Sequence, residues 1–138
     1  MIHRIILRAF AAATEDESRV LKALGIFNAL DDLFVTYAKG HFGNEIIIFE
    51  ATANKKESLA FLSILKERLP SEELLRLHNE VPIRVDEDNH FHFRLDKQAA
   101  YEGRVRLTGS KDAIDVSVHI ASYPSRQEDA IKIIGAII

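Results

Sequence analysis

The 138-residue chain has no cysteine, which excludes a disulfide framework, a thiolate metal site and a cysteine nucleophile. That lack also fits a reducing compartment. No run of about 18 apolar residues occurs, so the sequence offers nothing to span a bilayer as a helix. The opening Met1-Ile2-His3-Arg4-Ile5-Ile6-Leu7-Arg8 is interrupted by charge too early for a signal peptide, and the expected location is the cytoplasm. A basic excess is missing too. The chain carries 18 Lys and Arg against 21 Asp and Glu, a net charge of −3. Indiscriminate nucleic-acid binding normally goes with a strongly basic domain, so such binding requires charge segregated by face. With no repeat, low-complexity tract or Pro/Gly/Ser linker, the expectation is one domain over residues 1–138.

What is present is ordinary for a folded protein: 47% hydrophobic and 28% charged residues, enough for a core without staples. A first strand is expected from Ile2 to Phe10. Thr14, with Glu17 three residues on, reads as the capping box of a helix whose Val20, Leu21, Leu24 and Phe27 face inward. Strands are expected over Leu33–Ala38 and Glu45–Ala51, the second apolar on both faces through Ile46-Ile47-Ile48-Phe49 and so more central. Lys55–Leu69 reads as an amphipathic helix with Leu59, Leu62, Ile64, Leu65 and Leu69 inward. Pro70 ends it, and Ser71 caps a short helix through Leu77.

The second half returns to period-two alternation. Phe91, Phe93 and Leu95 alternate with His90, His92 and Arg94. Val105 and Leu107 alternate with Arg104 and Arg106, and Ile114, Val116, Val118 and Ile120 with Asp115, Ser117 and His119. Each such stretch predicts a strand with one buried and one wet face. Asp96–Glu102 reads as a short capped helix ended by Gly103, and Ser125 starts a last helix carrying Ile131, Ile134 and Ile138. The order predicts an α+β two-layer sandwich, a mostly antiparallel sheet with helices on one face.

The wet face of that sheet gathers Arg4, Arg8, Arg94, Arg104 and Arg106 against one assignable carboxylate, Asp115. Acids concentrate instead on or near helices, at Glu15, Asp16 and Glu17, at Glu67, Glu72 and Glu73, and at Glu128 and Asp129. Such a face would hold phosphates, with a steep salt dependence. Phe10 and the histidines would stack on unpaired bases. The competing reading is a merely soluble face, its Arg and His paired with acids on neighbouring strands, or a dimer interface.

His90 and His92 share a strand face two residues apart, a chelating spacing if a third ligand approaches, with His119 the nearest candidate. No acid or cysteine is identifiable beside them, so no metal or cofactor is assigned. Neither a nucleophile nor a partnering carboxylate is evident for catalysis. The turn Gly40-His41-Phe42-Gly43-Asn44 reads equally as a plain hairpin connection and as a loop offering His41 and Asn44 to a phosphate or base. Asp96-Lys97-Gln98 is likewise either a capped helix start with solvated side chains or a phosphate site beside Arg94. Tyr101 either stacks on a base or packs on the sheet.

Three segments read together carry a resemblance: Ala13-Thr14-Glu15-Asp16, Gly40-His41-Phe42-Gly43-Asn44, and Arg94-Leu95-Asp96-Lys97-Gln98-Ala99-Ala100-Tyr101-Glu102-Gly103. Their order and spacing resemble the archaeal RNA-binding family described as predicted exosome subunits, and the resemblance covers nearly the whole chain. It implies a fold similar to the ribosomal protein that binds 5S rRNA, and RNA as partner. A histidine commonly precedes Ala-Thr-Glu-Asp in that family; here Ala12 stands there. The combined expectation is a non-catalytic RNA-binding accessory of RNA processing or degradation. Arg4, Arg8, Arg94, Lys97, Arg104 and Arg106 would hold phosphates, with Phe10, His41, Asn44, His90, His92 and Gln98 adding stacking or hydrogen bonds. The alternative is a protein-interaction or homodimerisation module.

Overall fold

Alternation in the first strand decides the layers. In the computed structural model, which describes residues 2–12, 14–27, 32–40, 43–122 and 125–138, Ile5, Leu7, Ala9 and Ala11 are buried while Arg4, Arg8 and Phe10 are exposed. This strand, β1 (Ile2–Ala12), lies at the centre of a five-stranded sheet. Its neighbours are β3 (Glu45–Ala53) and β5 (Ala113–Ile120); β2 (Leu33–Lys39) and β4 (His90–Asp96) form the edges, in the order β2-β3-β1-β5-β4. Every pairing is antiparallel. The doubly apolar β3 is flanked on both sides as its sequence suggested, although β1 is the central strand.

The helices α1 (Glu17–Gly25), α2 (Lys55–Arg68), α3 (Ser71–Asn79), α4 (Val81–Arg84), α5 (Lys97–Tyr101) and α6 (Gln127–Ile137) pack on one face of the sheet. The expected α+β sandwich is therefore observed. Its core joins Ile5, Leu7, Phe49, Phe91, Phe93, Leu95, Val116 and Val118 of the sheet to Val20, Leu24, Phe61, Leu65 and Ile134 of the helices, with Phe27 and Phe61 in tilted contact at 5.2 Å. Removing these apolar surfaces from water is the main stabilising term.

Several expectations need correction. Asp16, not Thr14, caps α1: its carboxylate accepts from the Ser18 amide (2.9 Å) and hydroxyl (2.7 Å). The chain is still turning at Thr14, where the Glu15 amide donates to the Ala12 carbonyl. In α2 the cap is Asn54 and the buried stripe runs Ser58, Phe61, Leu62, Leu65, which leaves Leu59 exposed. Ser71 does not cap α3; Pro70 occupies that place without a side-chain bond, and α3 extends to Asn79. Ser125 does not cap α6 either, which begins after Arg126.

The largest correction concerns Arg104–Leu107. No sixth strand forms there; only Leu95 and Leu107 make a bridge beside β4. The reason is local. Gly103 takes φ +84 to end α5, and the next residues are spent leaving that helix, with the Arg104 amide donating to the Ala99 carbonyl. Too few residues remain to pair along β4.

Candidate nucleic-acid interface

Among the described residues no helix covers the outer face of the sheet, and cross-strand register maps its side chains into rows. One row crosses all five strands: Phe34, Glu50, Arg8, Asp115 and Arg94. A second runs Arg4, His119, His90, and between them lie Ile6, Ser117 and His92. Beyond Arg8, Phe10 neighbours Ile48, which neighbours Thr36. Arg8, His92, Arg94, Asp115, Ser117 and His119 floor a cleft of about 640 Å³.

The charges on this face are less one-sided than the alternation predicts. Arg94 donates to Asp115 at 2.9 Å, and Glu50 stands across from Arg8. Arg104 is held by Glu102 at 2.8 Å and Arg106 by Glu73 at 2.6 Å. Glu73 also accepts from the Leu107 amide, which ties that segment to α3. So the expected convergence of five arginines reduces to three on β1 and β4, one of them already neutralised. Among the described residues neither Arg4 nor Arg8 forms an ion pair. Arg4 donates to the His119 ring (3.3 Å), and Arg8 lies over the Phe10 ring, 5.3 Å from its centroid.

Lys97 is a second correction. It is only 4% exposed, and its ammonium donates to the Phe10 carbonyl (2.8 Å), Glu15 (2.7 Å) and Asp112 (2.8 Å). A lysine so enclosed has no donor left for a phosphate. Burial pulls its pKa down, but the bonds to Asp112 and Glu15 outweigh this and hold it above the usual lysine value. Gln98 beside it is exposed, reaching Asp112 at 3.5 Å. Asp96 caps α5 through the Ala99 amide, as its sequence suggested. The Tyr101 ring is covered by Arg19 at 4.1 Å and Lys22 at 5.0 Å, so it serves cation–π packing.

The three histidines predicted to face outward do so together. His90 and His119 stack at 3.7 Å, and His92 meets His90 edge-on at 6.1 Å. Burial, followed by His90 and Arg4 nearby, lowers the His119 pKa to about 4. His119 is therefore neutral at pH 7 and adds no positive charge to the face. Sequence reasoning missed Asp86, whose carboxylate meets His92 at 2.6 Å. Its signal was legible: an Asp-Glu-Asp-Asn turn run stands directly before His90-x-His92. Of the β2–β3 turn, Asn44 is exposed, far along the sheet from Arg4; His41 lies outside the described residues.

The fold and this open face define a class: an antiparallel α+β sandwich whose helices leave one sheet surface free. Within it, a family model described as RNA binding matches residues 4–120, and the chain belongs to that archaeal RNA-binding family. It is 31% identical over 137 residues to an RNA-binding protein of Pyrococcus abyssi, covering 94% of this chain and 89% of the relative. An uncharacterised protein of Methanocaldococcus jannaschii is 33% identical, covering 99% and 97% of the two chains. The crystal structure of a DUF54 protein from Archaeglobus fulgidus superimposes with a TM-score of 0.89 at 31% identity over the whole of both chains. A second DUF54 protein, from Methanothermobacter thermautotrophicus, gives 0.83 at 28% identity, covering 99% and 98%. RNA binding is thus the general function. The family is described by a binding activity, not by a reaction.

Proposed function

We propose that the protein holds single-stranded RNA on the outer face of its sheet. The central strand carries this reading: Arg4, Arg8 and Phe10 stand exposed on β1, with neither guanidinium held in an ion pair and no helix above them among the described residues. Arg4 and Arg8 grip successive phosphates, and Phe10, 39% exposed, offers its ring to a base. Arg94, Asn44, His90, His92 and Gln98 border the track, whereas Lys97, Arg104 and Arg106 act within the fold. A cytoplasmic, single-domain accessory of RNA processing or degradation, attached to an exosome-like machine, suits a module with one binding face and no chemistry of its own. Kinship with the 5S rRNA-binding ribosomal protein remains part of the same proposal.

The experiment is fluorescence anisotropy with a labelled single-stranded ribo-oligomer. A stacked base is worth about 1–3 kcal/mol, so Phe10→Ala is expected to weaken binding about tenfold or more while leaving the salt slope unchanged. Equal affinity in the variant would remove Phe10 from the interface.

A second reading is favoured by β2. This edge strand extends past the helix layer, with Phe34 and Tyr37 each 70% exposed on opposite faces. An open apolar edge is a ready template for pairing with a second copy of the chain. Sedimentation of the pure protein without RNA separates the two: a dimer dissociated by Tyr37→Lys supports the edge reading, and a monomer rejects it.

A further inference from the structure

We propose that Asp86, His90 and His92 form a binding site for a divalent transition-metal ion of the zinc class. The site is built by a tight turn. Val85 pairs with Phe91, the Asp86 amide donates to the His90 carbonyl (2.9 Å), and Asn89 takes the left-handed φ of +62 that closes the connection. This folds Asp86 back beside the outward-facing histidines of edge strand β4. One ligand atom from each residue then lies within 4.8 Å of the other two.

The distances suit an ion. With metal–ligand bonds of about 2.0–2.1 Å, tetrahedral ligands lie roughly 3.3 Å apart. Asp86 Oδ2 is 2.6 Å from His92 Nε2 and 3.9 Å from His90 Nδ1, so the required spacing falls between the two. Entry of the ion needs only a slight opening of the Asp86–His92 contact, with the ring proton of His92 carried on Nδ1 so that Nε2 is free for the ion.

The ligands are also oriented before any ion arrives. Asp86 Oδ1 accepts from the amides of Asp88 and His90, both at 2.9 Å, which leaves Oδ2 for the histidines. The His90 ring is fixed by its stack on His119. Such outer partners set ligand direction in metal sites. Charge nearby favours a cation: Glu87 and Asp88 flank the turn, and Arg84, which donates to the His92 carbonyl, is neutralised by Glu80 at 2.8 Å. Two imidazoles with one carboxylate select zinc, cobalt or nickel over magnesium or calcium. His92 is exposed, which leaves an open path and positions for water.

The test is titration of metal-stripped protein with Co2+, whose visible d–d bands report nitrogen and oxygen coordination, followed by competition with Zn2+ and with excess Mg2+. One Co2+ per chain is expected, displaced by Zn2+ and not by Mg2+. Affinity is expected to fall more than tenfold in Asp86→Asn and in His92→Gln, and to hold in His78→Gln on α3. Thermal melting without metal checks that the variants fold, and added Zn2+ should raise the melting temperature of the wild type and of His78→Gln but not of Asp86→Asn or His92→Gln. Absent cobalt bands, or binding that survives both ligand variants, overturns the site. No RNA is present, so the outcome is independent of the proposed RNA track.

Discussion

Replacing Arg4 and Arg8 together by alanine is expected to weaken single-stranded RNA binding by about 25-fold at 0.1 M salt. Each phosphate contact on a single strand contributes about 0.7 to the slope of log affinity against log salt, and up to about 0.9 on a duplex. Two contacts at about 0.7 flatten the slope by about 1.4, which at 0.1 M is about 1.4 decades of affinity. Arg8 projects from β1 with its backbone paired to both β3 and β5, and Arg4 from the stretch paired to β5, so truncation leaves the sheet intact. The comparison that gives the result meaning is Arg94→Ala with Arg104→Ala. Those guanidinium groups already face Asp115 and Glu102, and their loss is expected to move the slope by less than about one unit. Anisotropy titrations between 50 and 300 mM salt read both pairs. If the Arg4/Arg8 variant keeps the wild-type slope, the central strand is not the RNA track.

That ranking of arginines could not be read from the sequence. Alternation correctly sorted β1, β4 and β5 into buried and wet faces, because period two is imposed by the pleat itself. It correctly placed Arg4, Arg8, Phe10, His90, His92 and Arg94 on one surface, since antiparallel register aligns every outward residue of neighbouring strands. The same rule failed at Arg104 and Arg106. Alternation over four residues is also what an irregular segment shows when Val105 and Leu107 bury and two arginines reach helix-borne or neighbouring acids. Nothing local distinguished the cases. Ion pairing was equally hidden: Arg106 and Glu73 are 33 residues apart, and only the packing of α3 against the 104–108 segment joins them.

Helix starts were missed for a different reason. Thr14 and Asp16 are both competent caps by residue type; Asp16 takes the cap, while Glu15 between them is held by Lys97. The Asp96-Lys97-Gln98 segment also shows how a motif can be read correctly in structure and wrongly in role. Its cap formed as expected, yet Lys97 turned inward. A lysine between a capping aspartate and a glutamine has no signature of burial until its partners, 82 and 15 residues away at Glu15 and Asp112, are in place. For the histidines the reverse held: their shared face was evident, and the missing acid sat in the turn immediately upstream.

Lys97→Met is expected to destabilise the fold by about 3 kcal/mol without changing the RNA affinity of the folded protein. The methionine keeps the aliphatic stem but strips the Phe10 carbonyl, Glu15 and Asp112 of their common donor. Breaking a buried ion pair by removing one partner costs about 3–5 kcal/mol, because the other charge is left uncompensated. The lower end applies here, since Asp112 is exposed and water can replace part of what it loses. Glu15 and the Phe10 carbonyl have less recourse, so adding Glu15→Gln to Lys97→Met is expected to recover about 1 kcal/mol. The acid dependence follows from the directions of the pKa shifts. Lys97 holds the Asp112 carboxyl below its ordinary 3.8. The stabilisation from Asp112 is therefore complete above pH 3.8 and is lost as pH falls through the depressed value. Lys97 itself is raised above 10.5, so its share is complete below that pH and lost as pH rises through the raised value. Urea unfolding at several pH values is then expected to show a constant gap between wild type and Lys97→Met from about pH 5 to about pH 9. The gap narrows on either side. A gap unchanged at strongly acid pH would mean that the lysine stabilises through its stem alone, and the charge network joining β1, the Glu15 turn, α5 and the entry to β5 would lose its assigned role.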